Sequence, residues 1–239
     1  MIKYVLFDLD GTLLPMDQDL FVNTYFKKLA EKMAPLGYDP KELINSVWTG
    51  TKAMVMNDGS CSNEKRFWDK FVDIYGEKAR DDEAVFEEFY KNDFVAAKAV
   101  CGKLDGIQEL IDAIKAKGIG VALATNPIFP DIATAQRIEW AGLRREDFDL
   151  VTTYENSCHG KPNVEYFRDV ARELGVEPDE CLMVGNDVTE DMVASTIGME
   201  VFLLTDWIIN KEDEDITKYP HGDYNALKEY IYKNICNIN

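Results

Sequence analysis

The sequence predicts an α/β fold, namely a doubly wound parallel sheet with an inserted all-helical unit. Two observations predict it. Short, uninterrupted apolar runs recur along the chain, and segments with apolar residues at helical spacing lie between them. Strands that are apolar on both faces are typical of a parallel sheet covered by helices on both sides. With 239 residues, of which 46% are hydrophobic, the chain is long enough to form such a core.

Five apolar runs are the predicted strands of this sheet. In chain order they are YVLF at 4–7, IGVALAT at 119–125, FDLVTT at 148–153, CLMVG at 181–185 and EVFLL at 200–204. In an open parallel sheet, ligands bind beyond the carboxyl ends of the strands. The polar residues that follow these runs are therefore the candidates for a functional site.

The connection between the first two runs is much longer than a crossover requires. A crossover needs only about a dozen residues or more, whereas residues 8–118 separate these runs. Within that connection, 16–102 repeats apolar and aromatic residues at helical spacing, which predicts about four helices and no strand. We therefore predict two domains, an α/β core formed by 1–15 and 103–239 and a helical domain formed by 16–102.

The remaining helices are predicted from shorter segments. Residues 104–118 lead back to the sheet as a core helix, with Gly118 as its C-cap. After residue 205, an acidic loop precedes a predicted helix at 224–235. Aromatic residues of the insertion repeat at helical spacing, which favours packing over ligand binding for most of them; they include Phe21, Phe26, Trp48, Phe67 and Trp68.

The composition excludes several classes of partner. The net charge of −18 disfavours binding to nucleic acid or to an anionic membrane, so a phosphorylated substrate would need a locally positive pocket. The five cysteines are scattered and odd in number, which favours a reduced, cytoplasmic protein over a disulfide framework. No secretory signal or membrane-spanning run is predicted.

Acidic residues follow two of the predicted strands. Asp8 and Asp10 follow the first, in FDLDGTL, and Asp187 and Asp191 follow the fourth, in GNDVTED. Like charges held close together are unfavourable unless a cation or a proton is shared between them. A set of oxygen donors without histidine or cysteine suits Mg²⁺. We therefore predict a Mg²⁺ site whose ligands include Asp8, Asp10 and Asp187.

Donors for a phosphoryl group follow the second and third strands. Thr125 and Asn126 end the second run, and Lys161 lies in HGKPN after the third. A hydroxyl, an amide and an ammonium group beside a metal can bind the non-bridging oxygens of a phosphoryl group. Asp8 could then attack phosphorus to form an aspartyl-phosphate, and Asp10 could move the protons. The predicted chemistry is phosphoryl transfer from a small phosphorylated substrate.

Taken in order, these motifs resemble those of the haloacid dehalogenase-like hydrolases. The four family motifs correspond to FDLDGTL, LATN, GKPN and VGNDVTED. The resemblance implies a Rossmann-like core in which Asp8 is the nucleophile. It implies that Asp10 is the general acid/base and binds the metal through its backbone carbonyl, and that Thr125 and Lys161 orient the phosphate. The helical insertion would be the mobile cap of the family.

The fourth motif departs from the family pattern. Family members commonly have aspartate directly after the glycine, whereas this chain has Asn186 followed by Asp187. A carboxylate binds Mg²⁺ better than an amide carbonyl does, so Asp187 is the predicted ligand and Asn186 the alternative. Asp191 is then predicted to hold a metal-bound water or Lys161.

The leading hypothesis is a Mg²⁺-dependent phosphatase of small phosphorylated metabolites. Within the same family, a phosphomutase would keep its phosphoryl group from water, and a phosphonate hydrolase would need a Schiff-base lysine in the cap, for which Lys52 is a candidate. A receiver-like or non-catalytic phospho-aspartate protein is a hypothesis from another class, and the long insertion disfavours it. The pair Cys158-His159 has no third soft ligand nearby in the sequence, which disfavours a zinc site.

Overall fold

A six-stranded parallel sheet forms the centre of the molecule in this computed structural model, which describes residues 1–236. Its strands are β1 (Tyr4–Phe7), β2 (Gly120–Leu123), β3 (Leu150–Val151), β4 (Cys181–Gly185), β5 (Glu200–Leu204) and β6 (His221–Gly222). They lie in the order β3-β2-β1-β4-β5-β6, and every neighbouring pair is parallel. The predicted α/β fold is confirmed. The sequence did not predict β6, because two residues are too few to form an apolar run.

Helices surround this sheet and fill the long connection after β1. They are α1 (Gln18–Met33), α2 (Pro40–Val55), α3 (Asn63–Tyr75), α4 (Lys78–Asp81), α5 (Glu83–Asn92), α6 (Ile107–Lys115), α7 (Asp131–Trp140), α8 (Val164–Leu174) and α9 (Tyr224–Tyr230). A π-helical turn, Ile231–Ile235, continues α9, so helical structure covers the whole of the helix predicted at 224–235. Within residues 1–236, none of the helices is long and apolar enough to cross a lipid bilayer.

The central strand is buried on both faces, which explains its uninterrupted apolar sequence. Successive side chains of a strand point to opposite faces of the sheet. Val5 and Phe7 accordingly pack in one core cluster, together with Leu110 of α6. Leu6 packs in a second cluster on the other face, together with Phe167 of α8. A sheet covered by helices on both sides is the arrangement that the sequence predicted.

The insertion between β1 and β2 is helical throughout its regular structure. The helices α1 to α5 and a 3₁₀ segment at Phe94–Val100 all lie within residues 16–102. Asp17 and Ser62 cap α1 and α3, because each side chain accepts a hydrogen bond from a backbone N–H of the first turn. Aromatic pairs such as Trp68 and Phe86, with ring centroids 5.4 Å apart, join these helices. The division of the chain into two domains at these boundaries stays a prediction.

The carboxyl ends of three neighbouring strands position the site. The backbone N–H of Asp8 donates to the carbonyl of Val184, which holds the end of β1 against β4. Strand β2 ends at Leu123, two residues before the end of its apolar run, so Thr125 lies beyond the edge of the sheet. Asn186 follows β4 directly. Residues far apart in the chain therefore meet at one edge of the sheet.

Candidate active site

A buried lysine bridges two carboxylates at the bottom of the site. Lys161 Nζ lies 2.9 Å from Asp8 Oδ1 and 2.6 Å from Asp191 Oδ1. The side chains of Lys161 and Asp191 are each only 1% exposed. Burial disfavours the ammonium form, but the charges of Asp191 and Asp8 outweigh it and raise the pKa of Lys161. The lysine is therefore a permanent positive charge beside Asp8, as a phosphate site in an acidic protein requires.

Thr12 links Asp8 to the unusual asparagine of the fourth motif. The Thr12 hydroxyl donates to Asn186 Oδ1 at 3.0 Å and lies 3.4 Å from Asp8 Oδ2. The Asn186 amide donates to the carbonyl of Trp207 at 2.6 Å. A carboxylate cannot donate a hydrogen bond, so aspartate at position 186 could not make this contact. Gly11, at φ 82°, makes room for it, because a Cβ there would lie 2.3 Å from the amide nitrogen.

Asp10 pairs with an arginine that the sequence did not single out. Arg137 of α7 is fully buried, and its guanidinium contacts Asp10 Oδ2. It lies 4.3 Å from the ring centroid of Phe129 and donates to the Thr134 hydroxyl at 3.2 Å. Burial raises the pKa of Asp10, and the charge of Arg137 opposes this effect. The spacing of four residues could have indicated that Arg137 lies on the same face of its helix as the apolar residue Ala133. Both residues are buried.

Thr125 and Asn126, two of the predicted phosphate-binding residues, differ in which of their hydrogen-bonding groups already have a partner in the protein. Thr125 is buried, and its hydroxyl has no hydrogen-bond partner within residues 1–236. The side-chain amide of Asn126 donates to Glu190 Oε2 at 2.9 Å, and its carbonyl accepts from the backbone N–H of Lys161 at 3.2 Å. The side chain of Asn126 is thus occupied by the protein. Its backbone N–H, which has no acceptor among the described residues, is the donor available to a phosphoryl oxygen.

The carboxylate of Asp187 stabilises the turn after β4. Asp187 Oδ1 accepts hydrogen bonds from the backbone N–H groups of Thr189 and Glu190, at 2.8 and 2.9 Å. The backbone N–H of Asp187 itself donates to Asp191 Oδ2 at 2.9 Å. Asp187 Oδ2 is left free of these bonds. Asp187 therefore keeps a free oxygen for a cation, whereas the Asn186 carbonyl, which accepts from Thr12, could offer only its second lone pair. The choice of Asp187 stays a prediction.

The predicted residues surround one cavity of about 420 Å³ between the sheet edge and the helical insertion. Seven of them line it, and Lys161 lies behind Asp8; the seven are Asp8, Asp10, Thr125, Asn126, Asn186, Asp187 and Asp191. The donor set consists of oxygens. Asp10 Oδ1 is buried without a hydrogen-bond partner in the described part of the chain. An oxygen-only set of ligands fits Mg²⁺.

A second cavity, of about 670 Å³, adjoins the first within the insertion. Five residues line both cavities, namely Val22, Trp48, Thr51, Ile128 and Phe129. Four of the aromatic residues that the sequence assigned mostly to packing, Phe26, Trp48, Phe67 and Trp68, line this second cavity. Helical spacing indicates that a residue is buried but does not show whether it also faces a cavity.

A third potential ligand joins the pair Cys158-His159 in the folded chain. His159 Nδ1 lies 2.7 Å from Asp169 Oδ2, and Cys158 Sγ lies 3.6 Å from the same oxygen. Asp169 also pairs with Arg172 at 2.8 Å. The group lies away from the two cavities described above and contributes nothing to their lining.

Comparisons with known proteins agree with this geometry. A family model described as haloacid dehalogenase-like hydrolase matches residues 2–195. A phosphoglycolate phosphatase from Rhodospirillum rubrum is 31% identical over 206 residues, covering 86% of this chain and 80% of that protein. An N-acetylmuramic acid 6-phosphate phosphatase from Pseudomonas aeruginosa is 26% identical, with coverages of 89% and 85%. The crystal structure of a HAD phosphatase from Thermococcus onnurineus has a similar fold, with a TM-score of 0.59, 18% identity and 98% coverage of both chains.

Proposed function

The chain belongs to the haloacid dehalogenase-like hydrolases, and from this membership we propose that it is a Mg²⁺-dependent phosphatase of a small phosphorylated metabolite. The observation that carries the proposal is the contact of Asp8 with Lys161 at the bottom of the cavity. This contact places a positive charge beside the carboxylate that would attack phosphorus, where a phosphoryl group would lie. The names of the relatives, which are phosphatases of small phosphorylated compounds, support the same reaction class.

The proposed reaction has two steps. In the first, an oxygen of Asp8 attacks phosphorus, the bond between phosphorus and the ester oxygen breaks, and Asp10 donates a proton to the departing alcohol. In the second, water attacks the phosphorus of the aspartyl-phosphate, Asp10 takes up a proton from the water, and the bond between phosphorus and the Asp8 oxygen breaks. Inorganic phosphate leaves, and Asp8 is again a carboxylate. The contact with Arg137 holds the Asp10 carboxyl in place for both proton transfers.

Thr125, Asn126 and Lys161 are proposed to orient the phosphoryl group. The Thr125 hydroxyl and the backbone N–H of Asn126 supply hydrogen bonds, and Lys161 supplies charge near Asp8. Asp8, the backbone carbonyl of Asp10 and either Asp187 or Asn186 would hold Mg²⁺. When bound, the ion supplies positive charge that offsets the carboxylates and the phosphoryl oxygens.

A phosphonate hydrolase of the same family is the second candidate. The observation that favours it is the position of Lys52, which α2 places on the wall of the catalytic cavity, where a Schiff-base lysine would have to lie. Hydrolysis of an ester that has no carbon–phosphorus bond distinguishes the two functions, because a Schiff base plays no part in that reaction.

The first prediction is that the protein releases nitrophenol from p-nitrophenyl phosphate in a Mg²⁺-dependent reaction. Excess chelator is expected to remove the activity, and added Mg²⁺ to restore it more effectively than Ca²⁺. The reason is that Mg²⁺ forms a compact octahedral site, whereas Ca²⁺ takes more ligands at longer distances. Absorbance of the released nitrophenolate measures the rate. Full turnover in excess chelator would contradict the metal requirement, and no turnover with any cation would contradict the phosphatase.

The second prediction concerns the two candidate ligands of the fourth motif. Asp187→Asn is expected to weaken Mg²⁺ binding about tenfold or more, and Asn186→Ala to weaken it less, because a carboxylate offers charge that an amide lacks. Asparagine at 187 keeps an oxygen for the backbone N–H groups of Thr189 and Glu190, so the turn is retained. Calorimetric titration with Mg²⁺ measures both affinities. The reverse order of effects would make Asn186 the direct ligand.

A further inference from the structure

We propose that the second cavity holds the leaving group of the substrate and that this group is a cationic alcohol, with an amino or quaternary ammonium centre. The inference rests on the proposed phosphatase function and deepens it. Three features carry the inference, namely the shared wall of the two cavities, the aromatic side chains of the second cavity and the sign of its charge.

The shared wall connects the second cavity to the catalytic residues. Trp48 and Thr51 of α2 and Phe129 before α7 line both cavities. An ester oxygen on a phosphoryl group at Asp8 would therefore face a space large enough for a small organic group. A volume of about 670 Å³ lies in the ordinary range for small-molecule sites. The leaving group can extend from the first cavity into the second.

Aromatic rings contribute a large part of the walls of this cavity, with nine aromatic residues in its lining. Helices α1, α2, α3 and α5 supply most of them, and two come from the loops before α7 and after β3; they are Tyr25, Phe26, Trp48, Phe67, Trp68, Phe86, Tyr90, Phe129 and Tyr154. The face of an aromatic ring is electrostatically negative and attracts cations, most strongly for tryptophan. One cation of the protein, Arg80, already lies 6.0 Å from the ring centroid of Trp68. The cavity has the surface chemistry of sites that bind ammonium groups.

The charged residues of the lining are almost all acidic. The lining contains one guanidinium, that of Arg80, and six carboxylates, those of Glu64, Asp81, Glu83, Glu87, Asp131 and Glu155. Of these, Glu87 and Asp131 are paired with Lys91 and Arg145, which do not line the cavity. Arg80 is already paired with Glu83 at 2.6 Å. The half-buried Glu64 has no ion-pair partner in residues 1–236. Burial, followed by the charges of Glu155 and Glu83, raises the pKa of Glu64, and the charge of Arg80 offsets this only in part.

The acidic lining favours a cationic leaving group over an anionic one. A carboxylate in the second cavity would meet the acidic lining, whereas an ammonium group would pair with Glu64 and stack on the rings. The phosphoryl end of the same molecule has its own positive group in Lys161. The two cavities thus fit the two ends of a zwitterionic phosphomonoester.

The third prediction compares three esters that differ in the charge of the leaving group. They are phosphocholine, its neutral isostere 3,3-dimethylbutyl phosphate, and phosphoglycolate, which carries a carboxylate. With the wild-type protein and Mg²⁺, kcat/KM is expected to be about tenfold higher for phosphocholine than for the isostere, because the two differ only in the charge that the rings and Glu64 attract. The value for phosphoglycolate is expected to be the lowest.

Glu64→Gln provides the variant for this test. It keeps the size of the side chain and removes its charge, so the preference for phosphocholine over the isostere is expected to fall about fivefold, mainly through KM. Asp73→Asn is the matched control, because Asp73 lies on the same helix, is exposed and makes the same change in net charge outside both cavities. The control is expected to keep the wild-type preference.

The outcomes separate this inference from the proposed function. If p-nitrophenyl phosphate is hydrolysed but phosphocholine and its isostere have equal kcat/KM, the cationic leaving group is wrong and the phosphatase stands. An equal loss of preference in Glu64→Gln and Asp73→Asn would also overturn the inference, since net charge alone would then explain it. Release of phosphate from none of the esters would overturn both proposals.

Discussion

Asp8→Asn is expected to abolish catalysis, with a loss in kcat/KM on the order of 10⁴-fold or more, because the amide is not a nucleophile. The variant should still fold, since its amide oxygen can accept the hydrogen bond that Lys161 donates to Asp8. Rapid acid quench followed by mass spectrometry provides the measurement. Wild-type protein is expected to carry an added phosphoryl group on the peptide that contains residues 4–14, and Asp8→Asn none.

Asp10→Asn, measured in the same experiment, distinguishes the role of Asp10 in proton transfer from that of Asp8 as the nucleophile. This variant keeps the nucleophile and loses proton transfer, which contributes typically 10²–10⁴-fold to the rate. With p-nitrophenyl phosphate, whose leaving group needs little protonation, Asp8 is still expected to be phosphorylated. The intermediate should then accumulate, because no base activates the water. Asp19→Asn, in the exposed first turn of α1, is the control for the loss of one acidic charge.

Two results would contradict this assignment. Phosphorylated protein in the Asp8→Asn variant would show that another residue is the nucleophile. Label on a different peptide of the wild type would show the same thing independently of any substitution. Rapid turnover of the intermediate in Asp10→Asn would instead give the role of base to another group, for which Glu190, half-buried on the wall of the cavity, is a candidate.

Lys161→Met is expected to lower the free energy of unfolding by about 3–5 kcal/mol, as well as removing activity. The reason is that the substitution leaves two carboxylates, those of Asp8 and Asp191, close together at a buried position without their shared cation. Urea unfolding in the presence of a chelator measures the change without a contribution from bound metal. Lys117→Met, at an exposed lysine, is the control and is expected to change stability by less than about 0.5 kcal/mol.

A double variant tests whether charge is the cause of that loss. Lys161→Met combined with Asp191→Asn leaves only one buried carboxylate, so part of the lost stability is expected to return. The asparagine can still accept from the backbone N–H of Asp187, as Asp191 does. Equal stability of the single and double variants would mean that a packing defect, rather than unpaired charge, destabilises Lys161→Met.

The sequence by itself determined the fold class and the family. The apolar runs of β1, β4 and β5 coincide with the strands, because a strand buried on both faces must be apolar throughout its length. The resemblance that the four motifs indicated is confirmed by the match of the family model over residues 2–195. Strand ends were also informative, since in a parallel sheet they lie at one edge whatever the packing of the helices.

Tertiary structure decided how the side chains of the site are paired. Arg137 reaches Asp10 across 127 positions of the chain, and Lys161 reaches Asp8 across 153. No periodic pattern records such contacts, because they depend on where α7 and the loop before α8 pack on the sheet. The hydrogen bond that the Asn186 amide donates to the carbonyl of Trp207 is likewise a contact that the sequence could not predict.

The same distinction applies to the aromatic residues of the insertion. Their spacing indicated a buried helical face, and Phe67 and Trp68 are indeed 8% and 5% exposed. A buried position next to a neighbouring helix and one next to a cavity have the same helical period, so the sequence could not separate them. Only the packing of helices α1 to α5 against the start of α7 and the loops before α7 and after β3 creates the cavity of about 670 Å³. Burial is encoded locally by hydrophobic periodicity, whereas the shape and charge of a cavity are properties of several elements at once.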